Sequence, residues 1–368
     1  MLEIIFNPNN NRLWSEATMW LYLGIILIVG FSGYFIQNNK ITINTKLILI
    51  IPSFCILFFF SAFRTTGADT KVYKDIFIAA GQNEYNTFLI EPGYWVLNKL
   101  LSIITNIPQS IIIFTTFLTL FFLYKTLKHF KKSISIGVAL FAFVSIFYFQ
   151  SYNLARIYLT AAFLLFSFKY LYEGKNKKYA ICVSIAVLFH YSAILMFFPF
   201  VSYFIYKKNK KLFYVLLILF FLTVLIFIEN LHYFNIFIRY SNYLSKGAVG
   251  SFGIAQFIFH LPFLLFIYFL KKKICPQPMY DLFVVYTMYS LMFSFLFYKI
   301  IVLGRISVFF NVLFIIIVPY FLMYLKQQKN KKYISFSIMF TCYLIFRCII
   351  YFREYLFLDE IIPYSTIF

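Results

Sequence analysis

The arginines of this chain stand where a basic side chain could act on phosphate. They occur apart from the lysines, at Arg12, Arg64, Arg156, Arg239, Arg305, Arg347 and Arg353. A guanidinium group is planar and always charged, and it matches a phosphate through two parallel hydrogen bonds. The arginines therefore favour recognition of a phosphate-bearing substrate.

One short segment concentrates residues of this kind. Residues 64–69 read RTTGAD, and Tyr73 follows one helical turn later. Gly67 permits a tight backbone or the close approach of a ligand. We predict that Arg64 and Tyr73 bind substrate, and that Asp69 pairs with Arg64 or accepts a proton. The alternative is an interfacial arginine balanced by a nearby aspartate.

A histidine within an apolar stretch is the second candidate for chemistry. His190 lies in the middle of residues 179–206. An ionisable residue inside a membrane segment is a functional hypothesis by default, and a neutral imidazole can act as a general base. We predict His190 as the catalytic base, with Asp69 as the second catalytic residue. A histidine that only packs inside a helix bundle is the alternative.

Further substrate-binding residues are predicted along the chain. Arg156 stands at a helix start, where its charge adds to the helix dipole and is best explained by an anion between them. Arg239 and Tyr240 lie among tyrosines and asparagines, which are typical of sugar binding and also of membrane interfaces. The full set comprises Arg64, Tyr73, Glu91, Asn153, Arg156, Arg239, Tyr240 and Arg305.

No cofactor, metal or nucleic acid is predicted. The chain has no Walker loop, GxGxxG or paired-aspartate motif, and its five cysteines show neither CxxC nor Cys/His spacing. A net charge of +21 would indicate nucleic acid in a soluble chain. Lysine-rich loops facing anionic lipid explain that charge better here.

The elements that position these residues are transmembrane helices. The chain is 62% hydrophobic and 12% charged, whereas soluble domains are about 25% charged. We predict an all-α polytopic membrane protein with about 10–12 transmembrane helices in a single transmembrane domain, residues 1–368. The predicted spans are roughly 18–36, 47–63, 109–127, 134–150, 157–172, 212–228, 253–270, 280–298, 306–325 and 333–350.

Lysines predict the orientation of these spans. They cluster at alternate gaps, while the arginines fall in the remaining gaps. Excess lysine and arginine marks cytoplasmic loops, so the lysine gaps are predicted to be cytoplasmic, with both termini and the arginines outside. Two long outer loops follow, at 64–108, which becomes amphipathic from Glu91, and at 229–252. The first residues lack a basic region and a cleavage site, so no removable signal peptide is predicted.

Residues 179–206 do not fit a simple alternation of spans. Lysine clusters flank both sides, yet each half would give only about 21 Å of helix against a core of about 30 Å. We favour a re-entrant hairpin with its tip near His190. One long tilted helix, which would invert the rest of the chain, and two tilted spans are the alternatives.

Taken in order, these residues resemble a known family. The matching features are Arg64, Gly67, Asp69 and Tyr73; Glu91-Pro92-Gly93-Tyr94; Asn153-x-x-Arg156; Phe189-His190-x-Ser192-Ala193; Arg305 before Phe309-Phe310; and Pro363-Tyr364. The chain resembles the EpsG-like group of Wzy-type polysaccharide polymerases over nearly its whole length.

The resemblance implies a membrane glycosyltransferase in the bacterial cytoplasmic (inner) membrane. Such proteins join oligosaccharide repeat units carried on undecaprenyl diphosphate at the outer face of that membrane, making O-antigen, capsular polysaccharide or exopolysaccharide. They release undecaprenyl diphosphate and need no metal. The implied partners are the lipid-linked oligosaccharide as donor and acceptor, membrane lipid, a chain-length regulator and a flippase.

Two other functions remain open from the residues. A flippase for the same lipid-linked oligosaccharide would also place arginines in a cavity, although transporters often show repeated halves and none is visible here. An O-antigen ligase would use the same donor with a different acceptor.

Overall fold

The computed structural model describes residues 6–7, 13–36, 42–84, 90–229, 259–268, 277–296, 301–329 and 331–368. Helices account for most of these residues, so the predicted all-α fold is confirmed. Nearly all of the predicted outer loop at 229–252 lies outside the described residues.

The first half of the chain forms helices α1 (Glu16–Ile36), α2 (Ile43–Leu49), α3 (Ile51–Ala62), α4 (Thr70–Gly81), α5 (Pro92–Ile104), α6 (Gln109–Phe130), α7 (Ile136–Phe143), α8 (Gln150–Asn153), α9 (Ala155–Tyr172) and α10 (Asn176–Phe189). The second half forms α11 (Phe197–Lys208), α12 (Lys210–Glu229), α13 (Phe259–Tyr268), α14 (Gln277–Leu296), α15 (Ile301–Asn311), α16 (Phe314–Gln327) and α17 (Lys332–Ile350). A π-helical turn, Val144–Tyr148, joins α7 to α8, and a 3₁₀ turn, Tyr191–Met196, joins α10 to α11.

Within the described ranges, seven helical segments are long and apolar enough to cross a membrane: Glu16–Gly33, Asn44–Ala62, Gln109–Phe130, Lys210–Phe227, Gln277–Leu296, Arg305–Gln327 and Lys332–Tyr355. Each coincides with a predicted span. Two shorter apolar helices, Ile136–Tyr148 and Phe259–Tyr268, coincide with two more. The chain is a polytopic α-helical membrane protein.

Helix α9 carries an arginine at one end and a lysine at the other. Arg156 lies in its first turn and Lys169 in its last, which a rise of about 1.5 Å per residue places about 20 Å apart. Beyond Lys169, Glu173 bonds to Lys175 (2.5 Å) and lies 3.2 Å from His129. We call these ends the arginine end and the lysine end.

The chain reverses direction at His190. Helix α10 ends at Phe189, and His190 is extended, with φ −156° and ψ 115°. The rings of Tyr179 in α10 and Phe200 in α11 lie 5.2 Å apart, although one continuous helix would separate them by about 31 Å. The two arms therefore form a hairpin, and the alternative of one long tilted helix is excluded.

The predicted loop at 64–108 is largely helical. Its two amphipathic helices, α4 and α5, pack on each other and bury Tyr73, Phe77 and Tyr94 in a small core of their own. The other face of α5 exposes an apolar stripe that includes Ile103 and Ile104. An exposed stripe of this kind is typical of helices that lie in a membrane interface.

The C-terminal tail, residues 356–368, is hydrogen-bonded to the segment between α3 and α4. The amides of Gly67 and Ala68 donate to the carbonyls of Glu360 and Asp359, at 2.9 and 3.0 Å. Gly67 has φ +114°, a conformation that favours glycine, and a Cβ there would lie 3.0 Å from the Tyr152 carbonyl oxygen. Residues far apart in sequence thus fix the backbone that carries Asp69.

Candidate functional site

Glu91 lies at the centre of a polar group at the arginine end. Its side chain is 1% exposed, and it accepts a hydrogen bond from Arg156 Nη1 at 2.7 Å. Its second oxygen lies 3.1 Å from His190 Nδ1. We call Asp69, Glu91, Arg156, His190 and Arg305 the polar cluster.

Local structure explains how Glu91 reaches the hairpin tip. Glu91 is the extended N-cap residue of α5, and Pro92 begins the helix with its φ already suited to it. A Cβ on Gly93 would lie only 2.8 Å from the carbonyl oxygen of Leu188. The absence of a side chain at this position lets the start of α5 approach the end of α10 closely enough for Glu91 to meet His190.

The surrounding charges keep Glu91 ionised. Burial alone would raise the pKa of this carboxyl, but the hydrogen bond from His190 and the charges of Arg156 and His190 outweigh burial and lower it to about 2. An ionised carboxylate can only accept hydrogen bonds, so His190 Nδ1 carries the shared proton. In neutral His190, Nε2 then holds a lone pair.

His190 Nε2 is available to another molecule. It makes no hydrogen bond with any residue in the described ranges, and the side chain is 20% exposed. The imidazole ring packs against Phe309 of α15, with ring centroids 5.9 Å apart. A carboxylate on one nitrogen and an accessible lone pair on the other is the arrangement of a positioned general base.

Arg156 is held by rings as well as by Glu91. Its guanidinium carbon lies 5.4 Å from the ring centroid of Tyr94 and 5.9 Å from that of Tyr73. The Tyr73 hydroxyl donates to the backbone carbonyl of Asn153 at 2.9 Å, which joins α4 to the turn before α9. The side chain of Tyr73, predicted to bind substrate, is therefore buried and bonded within the protein.

Asn153 connects the segment before α4 to the C-terminal tail. Its side-chain oxygen accepts from the amide of Asp69 at 2.9 Å, and its amide nitrogen donates to Asp359 at 2.9 Å. Tyr351 donates to the second oxygen of Asp359 at 2.6 Å. Asn153, predicted to bind substrate, thus has both ends of its side-chain amide bonded.

Asp69 and Arg305 complete the cluster, and neither side chain is held by a hydrogen bond or ion pair within the described residues. Burial raises the pKa of the Asp69 carboxyl, although the charges of Arg305 and Arg156 act to lower it. Burial also raises the pKa of Asp359, against its hydrogen bonds and the charge of Arg305. Arg305 is thus close enough to influence both carboxyls, yet it forms no hydrogen bond or ion pair within the described part of the chain.

Arg64 does not join the cluster. Its side chain is 0% exposed, and it donates to the carbonyl of Ser61 and, at 2.7 Å, to that of Tyr152. Its guanidinium carbon lies 4.7 Å from the ring centroid of Tyr152. The expected pairing with Asp69 is absent from the described residues, because Arg64 points into the bundle, where carbonyl oxygens accept its hydrogen bonds.

The structure therefore brings together Asp69, Glu91, Arg156, His190 and Arg305. Asn153 bonds to the Asp69 amide, and Tyr73 bonds to Asn153. Arg239 and Tyr240 lie outside the described residues. Sequence reasoning missed Tyr94, Tyr351 and Asp359 as parts of the site. The signals present in the sequence were Tyr94 in the Glu91-Pro92-Gly93-Tyr94 motif and three acidic residues near the C-terminus, Glu354, Asp359 and Glu360. Over the described ranges, no three His, Cys, Asp or Glu side chains are grouped so as to hold a metal ion.

Fold and site together define a polytopic α-helical membrane protein with a charged, partly accessible cluster at one end of its bundle. A family model, described as the EpsG family, matches residues 46–366. This match spans most of the chain, and the protein belongs to the EpsG family. The family points to a polysaccharide-polymerase type of membrane protein that is broadly glycosyltransferase-like. No curated protein and no solved structure matches the chain.

Proposed function

We propose that this protein polymerises oligosaccharide repeat units linked to undecaprenyl diphosphate, making O-antigen or capsular polysaccharide. Family membership supports the polymerase class. The observation that carries the mechanism is the Glu91–His190 pair, together with Arg305, whose charge acts on Asp69 and which has no hydrogen-bond or ion-pair partner in the described ranges. This combination offers a base and a cation to the same substrate.

His190 takes the proton in this mechanism. Glu91 holds Nδ1 at 3.1 Å, which leaves Nε2 to accept a proton from the acceptor hydroxyl. Asp69 is the second candidate for this role, because its carboxylate accepts no hydrogen bond from the described residues and burial raises its pKa. A pKa raised toward neutral pH suits proton transfer.

Arg305 neutralises the departing diphosphate. Arg156 is already balanced by Glu91 at 2.7 Å, so Arg305 is the guanidinium of the polar cluster with the most capacity to bind a new anion. Stabilising the charge that develops on a leaving group usually contributes more to such catalysis than any other single effect. It would supply what a metal ion supplies in other glycosyltransferases, and we therefore propose a metal-independent reaction. Arg239 and Tyr240 remain proposed substrate-binding residues.

The reaction exchanges one bond for another. The acceptor oxygen forms a bond to the anomeric carbon of the growing glycan, and the bond from that carbon to the diphosphate oxygen breaks. The acceptor proton passes to His190 Nε2, and undecaprenyl diphosphate leaves with the bonding electrons. His190 then loses its proton to solvent.

Three residues support the reacting groups without reacting themselves, namely Glu91, Tyr73 and Asn153. Glu91 is 1% exposed and orients both Arg156 and His190. Asn153 accepts a hydrogen bond from the Asp69 amide, and the Tyr73 hydroxyl donates to the Asn153 carbonyl. We propose positioning roles for these three residues rather than direct contact with the glycan.

The proposal places the polar cluster at the outer face of the bacterial cytoplasmic membrane. The lysine clusters at the opposite end of the bundle, which include Lys169 and Lys175, support this orientation through the positive-inside rule. A lipid-linked donor and acceptor would reach the site from the membrane. The exposed apolar stripe of α5, the helix that begins just after Glu91, supports such an approach. A flippase that delivers the repeat unit and a chain-length regulator are the proposed partners.

A reconstituted reaction tests this function. Purified protein in nanodiscs is given an undecaprenyl-diphosphate-linked repeat unit with chelator and no nucleotide, and the products are separated on a gel. We expect a ladder of polymers that is lost in the His190→Ala variant. No ladder, with movement of the lipid across a liposome bilayer, would instead identify a flippase. Transfer only to a different glycolipid acceptor would identify a ligase.

A further inference from the structure

A cavity opens at the lysine end, far from the polar cluster. It encloses about 270 Å³ between α2, the turn that follows α6, α16 and α17. Four lysines line it, namely Lys46, Lys131, Lys132 and Lys326. An engineered cavity of about 150 Å³ holds a benzene molecule, so this one is large enough for a phosphoglycerol group.

The charges around this cavity are all of one sign. No acidic side chain occurs among its described lining residues, and none of the four lysines forms an ion pair in the described ranges. Lys131 donates to Asn44 at 3.1 Å, while Lys46 and Lys326 lie close enough for their charges to repel. An anion placed between repelling cations favours the charged form of both.

The remaining walls are suited to hydrocarbon. Val138, Phe141 and Leu344 line the cavity, and α17 beside it exposes Ile338 and Ile345 on its outer surface. Helix α17 belongs to a candidate membrane span, so that surface faces lipid. Basic pockets between transmembrane helices near a membrane surface bind anionic lipid headgroups.

We propose that this cavity is a binding site for an anionic phospholipid, with the phosphate among Lys46, Lys131 and Lys326 and an acyl chain along the apolar wall. The proposal is independent of the polymerase reaction, because the cavity lies at the end of the bundle opposite the polar cluster. It accounts for four lysines that share a cavity without a counter-ion from the described chain.

Binding of phosphatidylglycerol to the detergent-purified protein tests the site, measured by native mass spectrometry with phosphatidylcholine as the neutral comparison. We expect wild type to retain phosphatidylglycerol selectively. The Lys46→Gln/Lys326→Gln variant should bind it about 30-fold more weakly, from the ordinary contribution of two lysines near a headgroup. The control is Lys177→Gln/Lys178→Gln, which removes the same charge from exposed positions at the same end and should bind normally.

A second variant separates loss of the site from loss of the fold. Thr341 is exposed at the rim, and Thr341→Trp should obstruct the cavity and abolish selective binding while keeping all four lysines. Equal loss in the Lys177/Lys178 control, normal binding by Thr341→Trp, or equal retention of both lipids would overturn the proposal. Full displacement by inorganic phosphate would identify an ion site and overturn the lipid assignment.

Discussion

Glu91 contacts two side chains that depend on its charge. Arg156 is 18% exposed and has Glu91 as its carboxylate partner, and His190 needs an acceptor at Nδ1 to leave Nε2 available. A buried carboxylate paired with a cation is costly to replace, because removing it leaves the charge of Arg156 uncompensated. The chemistry of the cluster and its stability therefore rest on the same residue.

Replacing Glu91→Gln should lower both activity and stability. We expect kcat to fall about 100-fold, because the imidazole loses the carboxylate that orients it and holds the proton on Nδ1. The free energy of unfolding should fall by about 3 kcal/mol. Polymerisation rates and thermal unfolding in detergent measure the two effects. Glu354→Gln is the matched control, since Glu354 is 58% exposed and pairs only with Arg353 among the described residues.

The effect of Glu91 on stability should depend on pH in one direction. Its pKa is about 2 in the folded protein, against an ordinary value of 4.5. A depressed folded-state pKa contributes stability that is complete above the unfolded pKa and is lost as pH falls toward the folded one. The difference in unfolding temperature between wild type and Glu91→Gln should hold from pH 7 to about pH 5 and shrink below it. A difference that grows on acidification would contradict this assignment.

Arg305 should matter to the chemical step more than to folding. Arg305→Ala should reduce kcat by about 100- to 1,000-fold, because the leaving diphosphate loses a preorganised cation. Arg305→Lys should recover part of that loss, since an ammonium group keeps the charge without the planar fork. Polymerisation kinetics with the lipid-linked repeat unit measure both variants. Arg353→Ala, at an arginine that is 51% exposed and pairs with Glu354, should leave the rate unchanged.

At the scale of elements, the site depends on a contact between α5 and the tip of the α10–α11 hairpin. Neither element carries the chemistry by itself, because Glu91 starts one and His190 ends the first arm of the other. Their spacing is set by Gly93, where an added Cβ would approach the Leu188 backbone to 2.8 Å. The nearest atoms to that added Cβ are the carbonyl group and the Cβ of Leu188, so no flexible end of a side chain could move aside.

Gly93→Ala should therefore separate Glu91 from His190. We expect at least a tenfold loss of kcat, since small misplacements of catalytic groups are costly, with the membrane-inserted protein still produced. Gly24→Ala in α1 is the control, because a Cβ there meets nothing within 4 Å and alanine should stabilise the helix slightly. Normal activity in the Gly93→Ala variant would show that the contact is not required.

At the scale of the whole molecule, charge is divided between the two ends of the bundle. Arg64, Arg156 and Arg305 gather at one end with Asp69 and Asp359. Lysine clusters that include Lys169 and Lys175, with Glu173 and His129, lie at the other, whereas Lys71, Lys74 and Lys99 belong to α4 and α5 at the arginine end. This division supports a single orientation in the membrane, because cations at the lysine end attract the anionic cytoplasmic leaflet.

The orientation predicts which residues a membrane-impermeant reagent can reach. In a variant without native cysteines, Lys71→Cys in α4 should react with an impermeant maleimide in intact cells. Lys177→Cys should react only after the membrane is opened, because it belongs to the lysine end. Both positions are exposed, so a difference reports sidedness rather than burial. The reverse pattern would place the polar cluster in the cytoplasm and contradict the proposed reaction.

Hydropathy and charge were sufficient to predict the architecture but not the side-chain contacts of the site. The seven candidate spans coincide with predicted ones because apolar runs in lipid must satisfy their backbone within the helix. Pairing of side chains depends on direction as well as proximity in sequence. Arg64 and Asp69 are five residues apart, yet they point to different surroundings and form no pair.

The sequence by itself determined the fold class, the positions of the spans, the separation of lysines from arginines and the residues that could carry chemistry. These follow from local composition, because hydrophobic length and charge act on each segment independently. Tertiary structure decided which candidates meet. It joined Glu91 to His190 across 99 residues and Asn153 to Asp359 across 206, and it buried Arg64 against Tyr152. Such contacts depend on how helices pack, and no local pattern encodes them.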